Sequence, residues 1–320
     1  ANARDRSSGC AGPVAAHAAG GSSAAQDARK RRAREHSRLV PYTRCVETQQ
    51  IIQSLSYVTW VLLGGLALGS FALTWWLKQT TDATAGFLGF SAILAAVFGL
   101  GWLLVEWGLP EPVDLEIGYL EELNEPRRAA IAIFTLLALV AGIRLRRGGR
   151  ALWLGALATL AGLGALSLGA VSWGEAEAIS VSIFVQLVAL AAVTGGSLAA
   201  VVLAHWYLVT PKISERPLIV TTQLLMLGLT IQLLLFGVWT AAGIPDFEPF
   251  EILTGDNLVF VWLRLIVGLV APLALTWMAW RTAITRSMES ATGLLYIEFA
   301  LVMASTIVAA GLLFGEGMLV

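Results

Sequence analysis

The sequence is poor in most of what a water-facing catalytic or metal site is made from. Charged residues fill 13% of the 320 positions, about half the share of a soluble domain, so little of this chain is built to face water. Of three histidines only His205 lies beyond the first 45 residues. That excludes a bis-histidine haem within the main body of the chain. The two cysteines, Cys10 and Cys45, have no CxxC spacing and suggest neither a disulfide framework nor a metal site. There is no Walker A loop, HExxH, CxxCH or GxSxG, so hydrolase and metalloenzyme chemistry has nothing to stand on. A net charge of −1 gives no sign of a nucleic-acid partner. An enzyme is therefore the less favoured reading, and no cofactor is predicted.

What is abundant is apolar. Hydrophobic residues make up 57% of the chain, above the usual 45–50% or so of soluble domains. From Tyr57 onward they fall into stretches of about 20 residues, each long enough to cross a ~30 Å hydrocarbon core as a helix. The predicted spans are 57–77, 85–108, 127–144, 150–172, 178–208, 217–243, 257–280 and 290–314. The expected fold class is all-α, a polytopic integral membrane helical bundle of about eight transmembrane helices. The fifth stretch is too long for one crossing without tilt or a protruding end. Pro126 and Pro217 stand where spans begin, a position that needs no N–H, whereas Pro272 lies inside the seventh and should kink it.

Loop charge alternates. Loops 1–2, 3–4, 5–6 and 7–8 carry Lys78, Arg144, Arg146, Arg147, Arg150, Lys212, Arg216, Arg281 and Arg286 against Asp82, Glu215 and Glu289. The intervening loops carry Arg127 and Arg128 against twelve acids between Glu111 and Asp256. Lys and Arg concentrate in short cytoplasmic loops, so this pattern predicts a multi-pass protein of a bacterial plasma (inner) membrane with both native termini outside. Residues 1–45, with the run Arg29–Arg38, contradict that orientation. They read as a disordered basic segment, or as a non-native extension before a start near Leu39 or Val40, with 46–320 a single transmembrane domain.

Small residues mark close helix packing: Gly65 and Gly69 in the first span, Gly155, Gly162, Gly164 and Gly169 in the fourth, and Gly195, Gly196 and Ser197 in the fifth. The two halves of the chain show no pair of Gly/Pro-broken spans in matching positions, a feature of several secondary-transporter folds. Over Gly64–Gly69 (GGLALG) the first span resembles the multi-span quinol-oxidising subunits of bacterial redox complexes. The resemblance covers those six residues, and it implies a membrane subunit that handles a quinone.

Ionisable residues inside spans are costly and so are the first candidates for function. Arg264 lies about seven residues, roughly 10 Å, below the outer end of the seventh span, and Glu298 lies near the middle of the eighth. Their depths differ by about 5 Å on this count, so they are expected to pair, either as a substrate or proton site or as a fixed buried salt bridge. Gln186, Gln232 and Tyr296 are placed near them, as pocket lining or as interhelical hydrogen bonds. In His205-Trp206-Tyr207 the aromatic rings are expected at the interface, and His205 is the candidate for a haem or quinone headgroup contact. Glu106, between Trp102 and Trp107, is expected to be solvated. Val113, Ile117 and Leu120 are spaced for a short interfacial helix. Glu248, Glu251 and Asp256, beside Phe247 and Phe250, form an acidic outer rim that fits a basic extracytoplasmic protein partner. These features point first to a transporter or permease with a polar intramembrane site. The alternative is a non-catalytic or quinone-binding membrane subunit of a redox or other complex.

Overall fold

A computed structural model describes residues 53–112, 115, 117–174, 176–210, 213–244 and 248–320. The basic segment 1–45, both cysteines, Val113, Lys212 and Phe247 lie outside the described residues. From Ser54 onward the chain is one unit. It is built from eight helices, each long and apolar enough to cross a membrane: α1 Gln53–Thr80, α2 Ala85–Trp107, α3 Asn124–Arg146, α4 Leu152–Trp173, α5 Glu177–Val209, α6 Arg216–Ala242, α7 Leu258–Ile284 and α8 Met288–Glu316. The protein is thus a polytopic helical membrane bundle. Consecutive helices run antiparallel, so the loops collect at two ends. One end carries Arg144, Arg146, Arg147 and Arg150, and the other carries Glu248, Glu251 and Asp256. They are called the basic and acidic ends here.

α1 and α5 are the most buried of the eight, because glycine lets their backbones meet. A Cβ at Gly69 would overlap the carbonyl oxygen of Ala191, and one at Gly195 would overlap the backbone of Gly65 and Ser70. With apolar lipid on the outside, such close packing rather than hydrophobicity holds helices together. α2, α3 and α4 pack in sequence on one side of this central pair. On the other side α7 packs against both α6 and α8, and α6 and α8 also contact α5. α5 has 33 residues, about 50 Å, so it exceeds a single crossing as its composition predicts.

The turn Thr194-Gly195-Gly196-Ser197 serves three neighbours at once. Gly195 meets α1, a Cβ at Gly196 would press on Leu225 of α6, and Thr194 and Ser197 bond to α8. At the acidic end α8 stops at Gly317, whose φ of 66° suits a residue without Cβ. The chain then folds back, burying Met318, Leu319 and Val320.

Two local expectations are corrected. Among the described residues, 117–120 form no helix; Gly118 N–H donates to Trp173 O at 3.0 Å and Leu120 N–H to Ser172 Oγ at 3.3 Å. Only Glu121–Leu123 make a 3₁₀ turn. The end of α4 supplies partners that a helix would have found internally. Tyr207 is not an interfacial ring either: it is buried, and its hydroxyl donates to Ser214 O at 2.5 Å beneath the α5–α6 connection.

Candidate functional site

The polar interior begins with Pro272. In an unbroken α-helix its N–H would bond to Gly268 O, and proline has none. α7 widens instead into a π-helical stretch over Leu263–Val270, where Ala271 N–H reaches back to Ile266 O. The freed Gly268 carbonyl takes a hydrogen bond from Ser305 Oγ on α8 at 2.9 Å. Glycine is needed there, since a Cβ would overlap the Ser305 hydroxyl.

Arg264 lies one turn earlier on the same buried face of α7. Its Nη1 donates to Ser305 Oγ, and its Nη2 donates to Gln232 Oε1 on α6 at 2.7 Å. Gln232 Nε2 in turn donates to Ala189 O on α5 at 2.7 Å. The guanidinium, 2% exposed, is therefore tied directly or through Gln232 to three other helices. Its Nε has no partner among the described residues.

Glu298 is fully buried and sits elsewhere. Ser197 Oγ donates to its Oε1 at 2.7 Å, while Oε2 has no partner among the described residues. The expected Arg264–Glu298 contact is not formed, and none of the ion pairs among the described residues joins them. The hydroxyl that Arg264 meets on α8 is seven residues beyond Glu298, about 10 Å along the helix, twice the offset read from span ends. Beside Ser305 on α8, Thr306 pairs its hydroxyl with that of Thr194 on α5 at 2.7 Å.

Gln186, less than a turn from Ala189 on the acidic side, donates to Val320 O at 2.5 Å and accepts from Trp239 Nε1 at 3.3 Å. Tyr296 is not part of this group. It is 47% exposed, and its hydroxyl is 3.4 Å from Nδ1 of the exposed His205, on the basic side of Glu298. An open mouth of about 1030 Å³ lies at the basic end of the α5–α8 contact, lined by Tyr207, Ile213, Arg286, Ser287 and Glu289 among others. Inward of it, Thr292 Oγ1 donates to Ala204 O at 3.1 Å. Polar groups thus recur along one seam: Thr292, Ser197 with Glu298, Thr194 with Thr306, and Ser305 with Arg264 and Gln232.

A second buried charge cluster, at the acidic end, overturns the expectation of a solvated Glu106. Glu106 and Arg127 are each 1% exposed. Arg127 Nε donates to both carboxylate oxygens at 2.9 Å, and Trp60 Nε1 donates to Oε2 at 2.6 Å. The Arg127 guanidinium lies 5.4 Å over the Trp173 ring, and Trp60 makes edge contacts with Trp102 and Trp173. Asn124 Oδ1 accepts from Arg127 Nη2 at 2.9 Å. A carboxylate with two such donors, one of them shared by both its oxygens, and an aromatic wall is a structural clamp between α1, α2 and α3.

The docking candidates Glu248, Glu251 and Asp256 are all exposed, with Glu251 Oε2 accepting the Glu248 N–H at 2.9 Å. Among the described residues no group of three His, Cys, Asp or Glu is placed to hold a metal. Sequence reasoning did not single out Ser197, Gly268 or Ser305 as partners of the buried charges, nor Arg127 as the partner of Glu106. One signal was present: Arg264, Gly268, Pro272 and Thr276 repeat at intervals of four. No protein-family profile, curated protein or solved structure matches this chain.

Proposed function

We propose that this polytopic membrane protein is a transporter or permease whose working site is the polar seam of α5–α8, with Glu298 as the group that exchanges partners. The observation that carries the reading is the state of its carboxyl group. One oxygen is held by Ser197, and the other is buried with no partner among the described residues. A buried acid with spare acceptor capacity is costly as a fixed structural element, and suits a group that takes up and releases a proton or cation. Thr292 lies between it and the mouth at the basic end, and the Thr194–Thr306 pair stands beside the Ser305 that holds Arg264. Arg264 serves as the fixed counter-charge, held by Ser305 and Gln232, while Gln186 lies one step nearer the acidic end.

The test is flux through the purified protein in liposomes. A pH gradient imposed across proteoliposomes should collapse faster with the protein than without it. Glu298→Gln should remove the excess rate, and Glu298→Asp should keep part of it. Equal rates for Glu298→Gln and the unaltered protein, with both folded, would overturn the assignment.

A second reading rests on the exposure of Glu248, Glu251 and Asp256 at one end of the bundle. There the protein is a membrane subunit that docks a basic extracytoplasmic protein, with His205 as a contact for a haem or quinone headgroup. Co-purification with a basic partner from native membranes would favour it over transport.

A further inference from the structure

On the lipid-facing surface, α2, α3 and α5 enclose a groove of about 340 Å³. Its length is set by α2, from Gly86 at the basic end through Phe90 and Ile93 to Val97. The eleven steps of α-helix from Gly86 to Val97 rise about 16 Å, close to half of a ~30 Å hydrocarbon core. The groove is therefore one leaflet deep. Its walls along that length are apolar, and Phe90 and Val97 are 49% and 60% exposed.

The basic-end rim is different. Arg146, from the last turn of α3, lines it together with Trp206 of α5. Two glycines on α2 seat these side chains. A Cβ at Gly89 would overlap Arg146 Cβ, and one at Gly86 would press into the Trp206 ring at 2.9 Å. Trp206 is also held by Phe87 and Phe90, with ring centroids 6.5 and 6.1 Å away. Arg146 is exposed and makes no ion pair among the described residues. Arg144, Arg147 and Arg150 lie within four residues of it along the chain, so the local charge is strongly positive.

We propose that this groove is a binding site for one anionic phospholipid, its acyl chain along α2 and its phosphate on Arg146. A site one leaflet deep, apolar below and cationic at headgroup level, matches a diacyl phospholipid in both length and charge. The excess of arginine selects an anionic headgroup over a zwitterionic one. Trp206 borders the groove at the depth where indole rings favour the interface.

The experiment uses the full chain, stripped of lipid by extended detergent washing. Phosphatidylglycerol, phosphatidylcholine with the same chains, and glycerol phosphate without chains are each titrated while thermal unfolding and native mass spectra are recorded. Phosphatidylglycerol should raise the melting temperature and remain bound as one molecule per chain, with weaker effects from the other two. Arg146→Gln should weaken phosphatidylglycerol binding about fivefold, the value of one cation near anionic lipid, and Arg150→Gln should weaken it less. Val97→Trp, which fills the deep end and leaves Arg146 untouched, should also release the bound lipid. Equal stabilisation by the two lipids would refute the selectivity. Equal loss in Arg146→Gln and Arg150→Gln would reduce it to diffuse surface charge, and full stabilisation by glycerol phosphate would make it a phosphate site without a chain. Any of these three outcomes overturns the proposal. Retention unchanged in Val97→Trp also overturns it, even where an arginine variant fails to fold.

Discussion

Replacing Glu106 by Gln keeps the side chain's shape and an acceptor for the Trp60 N–H, yet leaves Arg127 without its counter-charge. Arg127 is 1% exposed, and its Nη1 already lacks a partner among the described residues. Removing one member of a buried ion pair costs about 3–5 kcal/mol. The cluster lies in the last turn of α2 and the first of α3, where water is near, so about 3 kcal/mol is the working figure. At about 1.5–2 °C per kcal/mol for a chain of this size, the melting temperature in detergent should fall by about 4–6 °C. The double replacement Glu106→Leu with Arg127→Met removes both charges at similar volume and should recover most of that loss. A shortfall of about 1 kcal/mol should remain, because Trp60 then has no acceptor. Trp60, Trp102 and Trp173 surround the pair, so tryptophan fluorescence reports its unfolding directly. A Glu106→Gln protein that melts with the unaltered chain, or a double variant less stable than the single, would refute the buried-clamp account.

Gly69→Ala should cost several times more stability in detergent than Gly65→Ala. The added methyl meets the Ala191 carbonyl in the first case and has ordinary contact distance in the second. Ser305→Ala removes one donor to Gly268 O and one acceptor for Arg264; a loss of about 1–2 kcal/mol is expected in chemical unfolding. Cysteine placed at Arg147 should resist an impermeant maleimide applied to intact cells and react after permeabilisation, as a cytoplasmic basic end requires. Neutralising Glu248, Glu251 and Asp256 together should weaken capture of a basic partner, most at low salt where charges are least screened; capture with unchanged salt dependence would leave only a solvated rim.

The eight helices were legible because a membrane span writes its length into composition, and the predicted limits fall within a few residues of the observed ones. The site was legible only in part. Burial costs single out Arg264 and Glu298 by residue type alone, but their partners depend on which way each helix is turned. Counting residues from span ends gives no azimuth, and its depth offset was half of what the Ser305 contact shows. It therefore brought the two charges together, and set Tyr296 beside them, although Tyr296 lies on the outer surface near His205. Glu106 and Arg127 misled for a related reason: each is near the end of a span, where charge is usually solvated, and only the tryptophans folded over them remove the water.

The π-helical stretch of α7 has a consequence for how this helix tolerates change. Steps of four residues turn an α-helix by about 400°, so Arg264, Gly268, Pro272 and Thr276 would fall out of phase by about 120° over three steps. All four are buried, so the widened turns absorb that drift and keep one stripe facing the bundle. The stretch acts as an inserted residue, fixed in the angular alignment of everything on either side of it. Deleting one residue between 265 and 270 would restore regular α-helix, and eleven steps of 100° would leave Arg264 and Thr276 within about 20° of their present alignment. Deleting one of residues 273–275, in the regular helix, would instead turn Thr276 and all that follows it by about 100°.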